Sequence, residues 1–265
     1  MKLLLTNDDG IFAEGLLALY NAFRHHHVTI VAPDRERSAV SHGITLHTPL
    51  RCQKVTLGNA IEGYAVNGMP ADCIKLALNE LLNVKPDMVI SGINPGANVG
   101  INLNYSGTVA AAKEATLSGI PAIAASIAYG DKFYFSDAAR FIEKFAVKVA
   151  EEGLDTGTFL NINFPNLPFD RIRGIKISRQ GIGQSQEYIE KRLDPRKQVY
   201  YWQGCDPKPI HLPSDADSMV IDQGQISITP ITCDMTDYSG LKILKKWGLE
   251  NGFQRVILPI STKQS

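Results

Sequence analysis

Two adjacent carboxylates, Asp8 and Asp9, follow the short apolar run Leu3-Leu4-Leu5 and lead into Gly10. Neighbouring carboxylates at a strand end repel each other and cost desolvation; a bound cation would neutralise both and lower their proton affinity. Two more polar clusters stand where core strands are predicted to end: Ser38 with Ser41, and Asn94 with Asn98. Two carboxylates with Ser and Asn oxygens form a hard, all-oxygen donor set, which suits Mg²⁺, Mn²⁺ or Ca²⁺ better than Zn²⁺ or Cu²⁺. An Asx-rich loop capping the next helix needs no metal, and Asp9-Gly10 is also an ordinary turn pair. Spacing alone leaves the two readings level.

Ser106-Gly107-Thr108 opens a predicted helix and offers hydroxyls and free backbone N–H groups, while the glycine permits close approach of a bound group. Helix N-termini attract phosphate for this reason. Plain capping by Ser106 explains the same residues without a ligand. What favours the ligand is position, because this helix follows the Asn94 loop and so starts on the same sheet edge as Asp8-Asp9. A cation site next to an anion cradle implies a phosphate ester as substrate. Nucleoside triphosphate and dinucleotide fingerprints are absent: there is no GxxxxGK[ST], and Gly181 and Gly183 lack a third glycine. There is no GxSxG nucleophile elbow either. His25-His26-His27 suggests a metal cluster, but consecutive histidines on a helix point apart and suit its negative C-terminal end. Lys113 and Glu114 are expected on a solvated helix face, and Tyr200-Tyr201-Trp202 are expected to pack rather than stack on bases.

The elements needed to place these groups are those of an α/β fold. Over roughly the first half of the chain, short apolar runs alternate with helical patterns, each run ending in a Gly, Pro, Asn or Asp cluster. Strands are predicted over residues 2–6, 28–32, 88–91, 122–126 and 160–164, with parallel pairing the economical arrangement. Helices are predicted over 15–24, from Pro70 with Ile74, Leu78 and Leu81 inward, over 109–117 ending at Gly119, and over 137–149. Residues 51–57 and 61–66 flank Gly58-Asn59 and read as an inserted hairpin. In an open α/β sheet, ligands bind outside the carboxyl ends of the strands where strand order reverses, so the three polar loops are expected to converge there. Beyond about residue 178 the rhythm breaks. Segments 186–192 and 198–203 read as a second hairpin carrying Tyr188, Tyr200, Tyr201 and Trp202, and a strand over 225–229 and a helix over 241–247 follow.

The composition fits this reading. The 265 residues, 44% hydrophobic and 20% charged, describe a folded globular chain rather than a disordered one. Lys plus Arg at 27 balance Asp plus Glu at 27, so no global field attracts a nucleic acid polymer or an anionic membrane, and any anion must be held locally. The leading apolar run stops at Thr6, too soon for a signal-peptide core or a membrane span, which leads us to expect a cytoplasmic location. Cys52, Cys73, Cys205 and Cys233 are scattered without a CxxC pair and are expected as buried thiols.

Taken together, the motifs are familiar. LLLTNDDG (3–10), APDRERS (32–38), NGMPAD (67–72) and SGINPGANVGINLNYSGT (91–108) closely resemble the SurE (survival protein E) family, and the similarity continues through NINFP (161–165), DPRKQVYYW (194–202) and ISITPITCDMT (226–236). The resemblance implies one SurE-like α/β domain with a Rossmann-like, mostly parallel sheet flanked by helices, its core at about 1–180. A C-terminal β-hairpin arm and oligomerisation extension would occupy about 181–265, with assembly as a homodimer or homotetramer. It implies a metal-dependent phosphatase acting on nucleoside monophosphates, usually the 5′ ester and in some members the 3′ ester or short polyphosphate. Carried over by motif, Asp8, Asp9, Ser38 and Asn94 would hold one divalent cation per subunit, Mg²⁺ or Mn²⁺, with Asp8 and Asp9 catalytic. Asn98, Ser106, Gly107 and Thr108 would hold the phosphate. Many relatives carry an acidic residue where this chain has Asn102. A metal-activated water is the expected nucleophile, since aspartyl phosphatases use a DxD arrangement that Asp8-Asp9 does not reproduce. The competing readings are a nucleotide or phosphate sensor without turnover and a broad-specificity phosphomonoesterase.

Overall fold

The run Leu3-Leu4-Leu5 has no exposed face: all three side chains are buried, Leu3 and Leu5 in one hydrophobic core and Leu4 in another. A strand buried on both sides belongs in the middle of a sheet covered by helices on both faces. The computed structural model describes residues 1–183, 186–206 and 212–251, and this strand, β1 (Lys2–Thr6), is central in its sheet. The other strands are β2 (His27–Pro33), β3 (Cys52–Leu57), β4 (Ile61–Val66), β5 (Met88–Pro95), β6 (Ala122–Ile127), β7 (Thr158–Phe164), β8 (Ile175–Ile177), β9 (Gln186–Leu193), β10 (Val199–Asp206) and β11 (Ile226–Thr232). Among the described residues, β1 and eight of these form one sheet in the order β3-β4-β2-β1-β5-β6-β7-β11-β8, while β9 and β10 pair only with each other.

The run β4-β2-β1-β5-β6-β7 is parallel throughout. β3 is antiparallel to β4 as the inserted hairpin, with a 3₁₀ turn at Gly58–Ala60. The expectation of parallel pairing does not extend to the late strand: β11 runs antiparallel to β7 and parallel to the short edge strand β8. Helices α1 (Glu14–Phe23) and α4 (Phe135–Glu152) cover the face of Leu3 and Leu5. Helices α2 (Pro70–Leu76), which runs on into a π-helical turn, and α3 (Gly107–Leu117) cover the face of Leu4. Along α3, Ala110, Ala111, Ala112 and Ala115 are buried, and their small side chains let the helix lie close on β5 and β6. Strand order reverses between β1 and β5, since β1 leads to β2 on one side and β5 leads to β6 on the other.

Two units are distinguished by their contacts, Met1–Cys233 and Asp234–Ser265. In the first, after the β9–β10 hairpin, helix α5 (Asp217–Asp222) precedes β11. Tyr188, Tyr201 and Trp202 on that hairpin are more than half exposed, and Tyr200 is exposed as well, so the aromatic run does not pack within its own chain. In the second unit, α6 (Tyr238–Lys246) is capped by the Asp237 side chain, which accepts from the Ser239 N–H at 2.9 Å. Cys73 is a buried free thiol, whereas Cys52 and Cys233 are only half-buried; the side chain of Cys205 lies outside the described residues. Among the described residues no helix is long and apolar enough to cross a membrane.

The histidine run is not helical. α1 ends at Phe23, and His26 sits in the turn before β2, where it meets the amino terminus at 3.3 Å and Glu143 at 3.3 Å. At the other end of α1 the approach to the sheet is tight: a Cβ on Gly15 would lie 2.0 Å from the Ile93 carbonyl oxygen. We predict that Gly15→Ala destabilises the protein by about 1–3 kcal/mol through overpacking, outweighing the roughly 1 kcal/mol by which alanine favours a helix. Urea unfolding midpoints measure this, and a variant as stable as the parent would mean that α1 does not approach β5 this closely.

Candidate active site

The loop after β1 is closed by its own side chains. Asn7 donates from its amide to the Gly10 carbonyl at 2.9 Å and accepts from the Gly10 N–H at 3.2 Å. Gly10 has φ +102°, and a Cβ there would press on the Arg35 backbone at 3.1 Å, so the NDDG turn requires glycine. This fold of the loop turns Asp8 inward, where it is 4% exposed. Its carboxylate receives the Thr108 hydroxyl. Burial raises the Asp8 proton affinity, and that hydroxyl, followed by backbone groups of Asp8, Thr108 and Gly107, pulls against the rise. Asp8 therefore occupies the N-terminus of α3, where the free amides and the helix dipole favour an anion. Gly107 explains how it gets there, since a Cβ at that residue would lie 2.7 Å from the Asp8 Cβ.

Asp9 has fewer partners. Its Oδ2 is buried and has no hydrogen-bond partner among the described residues. Burial first, then the charges of Asp8 and Glu36, push its pKa up to about 7. Both carboxylates thus favour protonation, which marks a spot short of positive charge. Among the described residues no three His, Cys, Asp or Glu side chains gather to hold a metal, so a cation here would need neutral oxygens as well. They are at hand. A cleft of about 870 Å³ is lined by Asp8, Asp9, Ser38, Asn94, Asn98 and Ser106, so six of the eight site residues expected from sequence face one space. The Asn94 amide nitrogen donates to the Gly96 carbonyl at 2.6 Å, which leaves its side-chain oxygen as a donor atom for a cation. Ser38 directs its hydroxyl to Glu36 at 2.6 Å. Two carboxylates, one with an unpartnered oxygen, beside Ser and Asn oxygens fit a hard divalent cation.

The remaining two residues, Gly107 and Thr108, stand behind Asp8 rather than on the cleft wall. Ser106 caps α3 by accepting from the Val109 N–H at 3.1 Å and, as a hydroxyl, keeps a proton to donate into the cleft. Asn98 is held by side chains of the neighbouring strands: its N–H donates to Asn163 at 2.8 Å, its carbonyl accepts from Asn161 and Asn163 at 2.9 and 3.1 Å, and its amide donates to Ser126 at 2.9 Å. Glu36, Asn102, Tyr105, Tyr129 and Gln203 complete much of the rim, and sequence reasoning singled out none of them as site residues except Asn102.

The residue 34–50 loop that carries Ser38 is tied down at several points. The Arg37 N–H donates to the Asp8 carbonyl at 2.7 Å, and Ser41 binds the backbone of Tyr105 and Asn104 at 2.9 and 2.7 Å. Ser41 therefore anchors the loop. Thr45 donates its N–H and its hydroxyl to Asp72, the carboxylate that also caps α2 through the Met69 N–H at 2.8 Å. His42 meets Glu114 at 2.8 Å, and Lys75 meets the same carboxylate at 2.7 Å. Glu114 is thus not on a solvated face: it is buried, and its bond to His42, assisted by Lys75, holds its carboxyl below the usual range despite the cost of burial. Lys113 beside it is half-buried. The NGMPAD stretch signalled the Asp72 cap of α2, whereas the bonds from Thr45 to the same carboxylate form only when the tertiary fold brings that loop to it.

Residues 3–187 match the family model for survival protein SurE. The chain is 54% identical over 251 residues to the 5′-nucleotidase SurE of Desulfatibacillum aliphaticivorans, covering 94% of this chain and 99% of the relative. It is 47% identical over 250 residues to the 5′-nucleotidase SurE of Syntrophobacter fumaroxidans, covering 94% and 100%. Among solved structures, the SurE protein of Aquifex aeolicus superposes with a TM-score of 0.82 at 37% identity, over 94% of this chain and all of that one. Relatives matched over nearly their full length, and a shared fold at the same scale, place this chain in the SurE family.

Proposed function

We propose that this chain is a metal-dependent nucleotidase, a phosphoric monoester hydrolase that releases phosphate from nucleoside 5′-monophosphates, with 3′-monophosphates and short polyphosphate as further substrates. The observation that carries the reading is the under-neutralised Asp8–Asp9 pair, with an unpartnered buried oxygen on Asp9, at a cleft that also opens beside the N-terminus of α3. The name 5′-nucleotidase carried by relatives at 54% and 47% identity supports it. One divalent cation, Mg²⁺ or Mn²⁺, would be held by Asp8, Asp9, Ser38 and Asn94. When bound, such an ion offsets phosphate charge and acidifies a water molecule. The chain's own groups do the positioning. Ser106 and Asn98 donate to phosphate oxygens, while Gly107 and Thr108 act on the phosphate site through the carboxylate they hold. Asp8, fixed by the Thr108 hydroxyl, is poorly placed to attack, which favours water as the nucleophile over an aspartyl intermediate. The reaction needs placement and charge compensation more than an internal acid.

The test is a phosphate-release panel of 5′- and 3′-nucleotides, p-nitrophenyl phosphate, glycerophosphate and tripolyphosphate, each with Mg²⁺, Mn²⁺ or chelator. Release from 5′-nucleotides that stops with chelator is expected. Binding without release under every condition would leave a nucleotide sensor, and equal rates across the panel would mean a broad-specificity phosphatase.

Asp9 gives a sharper prediction. Its folded-state pKa of about 7 lies above the ordinary 3.8, so the folded metal-free protein retains a proton that the unfolded chain gives up. That site's cost to stability is absent below about pH 4, grows as pH rises, and is complete above about pH 7. In chelator, Asp9→Asn should raise Tm at pH 8 but not at pH 4, while removing turnover and the stabilisation that added Mn²⁺ gives the parent. Wild-type activity in the variant at limiting metal would overturn the ligand assignment.

The exposed rings of the β9–β10 hairpin suit a second copy of this chain, exchanged as an arm in a homodimer or homotetramer, in a protein we place in the cytoplasm. Replacing residues 187–202 by a short Gly/Ser turn should give a monomer on sedimentation, with Mn²⁺ binding retained. A parent protein that sediments as a monomer at micromolar concentration would end the arm-exchange reading.

A further inference from the structure

Asn98 lies between the end of β5 and the 3₁₀ turn Gly100–Asn104, where the backbone has no strand partner of its own. Side chains take the partner's place. Asn163 bonds both the N–H and the carbonyl of Asn98, and Asn161 adds a second donor to that carbonyl. Asn161 and Asn163 stand two residues apart on β7 and so point to one face, and Asn163 is in register with Ser126 of β6, whose hydroxyl takes one hydrogen of the Asn98 amide. All three supporting residues are fully buried. Apolar side chains would serve a covered sheet at least as well, because amides buried there cost free energy unless every group is bonded, and among the described residues the Asn161 oxygen has no partner. Building the sheet does not explain them; holding Asn98 does.

We propose that Asn161, Asn163 and Ser126 are positioning residues, which fix the backbone and the side-chain amide of Asn98 so that its second N–H faces the substrate phosphate. The proposal rests on the reading of Asn98 as a phosphate ligand. The loop is pinned on either side by other bonds, from the Gly96 N–H to Ile127 at 2.7 Å and from the Gly100 N–H to Asp217 at 2.9 Å. Loss of the clamp should therefore loosen one amide and leave the loop in place. Of the metal-site residues, Asp8 and Asp9 follow a different strand, β1, Ser38 follows β2, and Asn94 lies on β5 in register with Ser126; none of the clamp bonds reaches any of the four.

The experiment measures KM for a 5′-nucleotide, the inhibition constant of inorganic phosphate and the half-activating Mn²⁺ concentration in Asn163→Ala, Ser126→Ala and Asn98→Ala enzymes and in the double variants. Each clamp variant should weaken phosphate binding and raise KM by about five- to tenfold, the size of one hydrogen bond, with metal activation unchanged. In the Asn98→Ala background the same substitutions should add no more than about twofold, as expected for residues acting through Asn98. Ser126→Ala removes a single oxygen and keeps the test open if Asn163→Ala does not fold. Normal phosphate affinity in Ser126→Ala beside a weakened Asn98→Ala enzyme would overturn the clamp alone. Normal affinity in Asn98→Ala would overturn the phosphate reading of Asn98 and the clamp with it, and equal losses of metal and phosphate binding would mark a merely structural role.

Discussion

The burial of one carboxylate against the start of one helix organises the site. Asp8 leaves the end of β1, enters the N-terminus of α3 and is met there by the Thr108 hydroxyl. Burying a charge is costly unless it is paired or hydrogen-bonded, and the helix end supplies amides, a hydroxyl and a favourable dipole together. Several sequence features follow from that contact. Gly107 leaves room for the carboxylate, Gly10 lets the loop fold back on Arg35, and the Asn7 side chain closes the turn. With one Asp8 oxygen engaged by Thr108, the carboxylate oxygen that has no partner among the described residues is on Asp9.

The surroundings of that pair are held from two directions. From the β6 and β7 side, Ser126, Asn161 and Asn163 grip the Asn98 loop. From the α2 and α3 side, Asp72 and Glu114 grip the loop that carries Ser38, through Thr45 and His42. Neither loop has a regular element at the site itself, yet each is tied by buried polar groups with short, specific partners. Such networks fix one arrangement rather than several, at a desolvation cost to which the unbonded Asn161 oxygen adds.

Much of this could be read from the residues. Apolar runs ending in polar clusters placed β1, β2, β5, β6 and β7, and the reversal of order at β1 and β5 brought Asp8, Asp9, Ser38, Asn94, Asn98 and Ser106 to one cleft. The features that escaped depend on distant partners. Nothing local distinguishes Glu114 from any other charged helix residue, since its burial follows from the approach of His42 and Lys75. The contact of Gly107 and Thr108 with Asp8 was hidden because a helix end looks the same whether its anion comes from solvent or from the chain. The direction of β11 depends on the path of a long connection, and β8 has three residues, too few for a period to show.

The alanines of α3 act as a spacer. Ala111, Ala112 and Ala115 are fully buried where α3 packs on the sheet, so their methyl groups set the height at which the helix rides above β5 and β6. A helix is stiff over this length, and Ala115 lies only about 12 Å along the axis from Gly107. A larger side chain at Ala115 would tilt the helix like a lever and lift its first turn from Asp8. The geometry of the carboxylate pair is therefore adjustable, through the thickness of a core layer, from a place that touches neither aspartate.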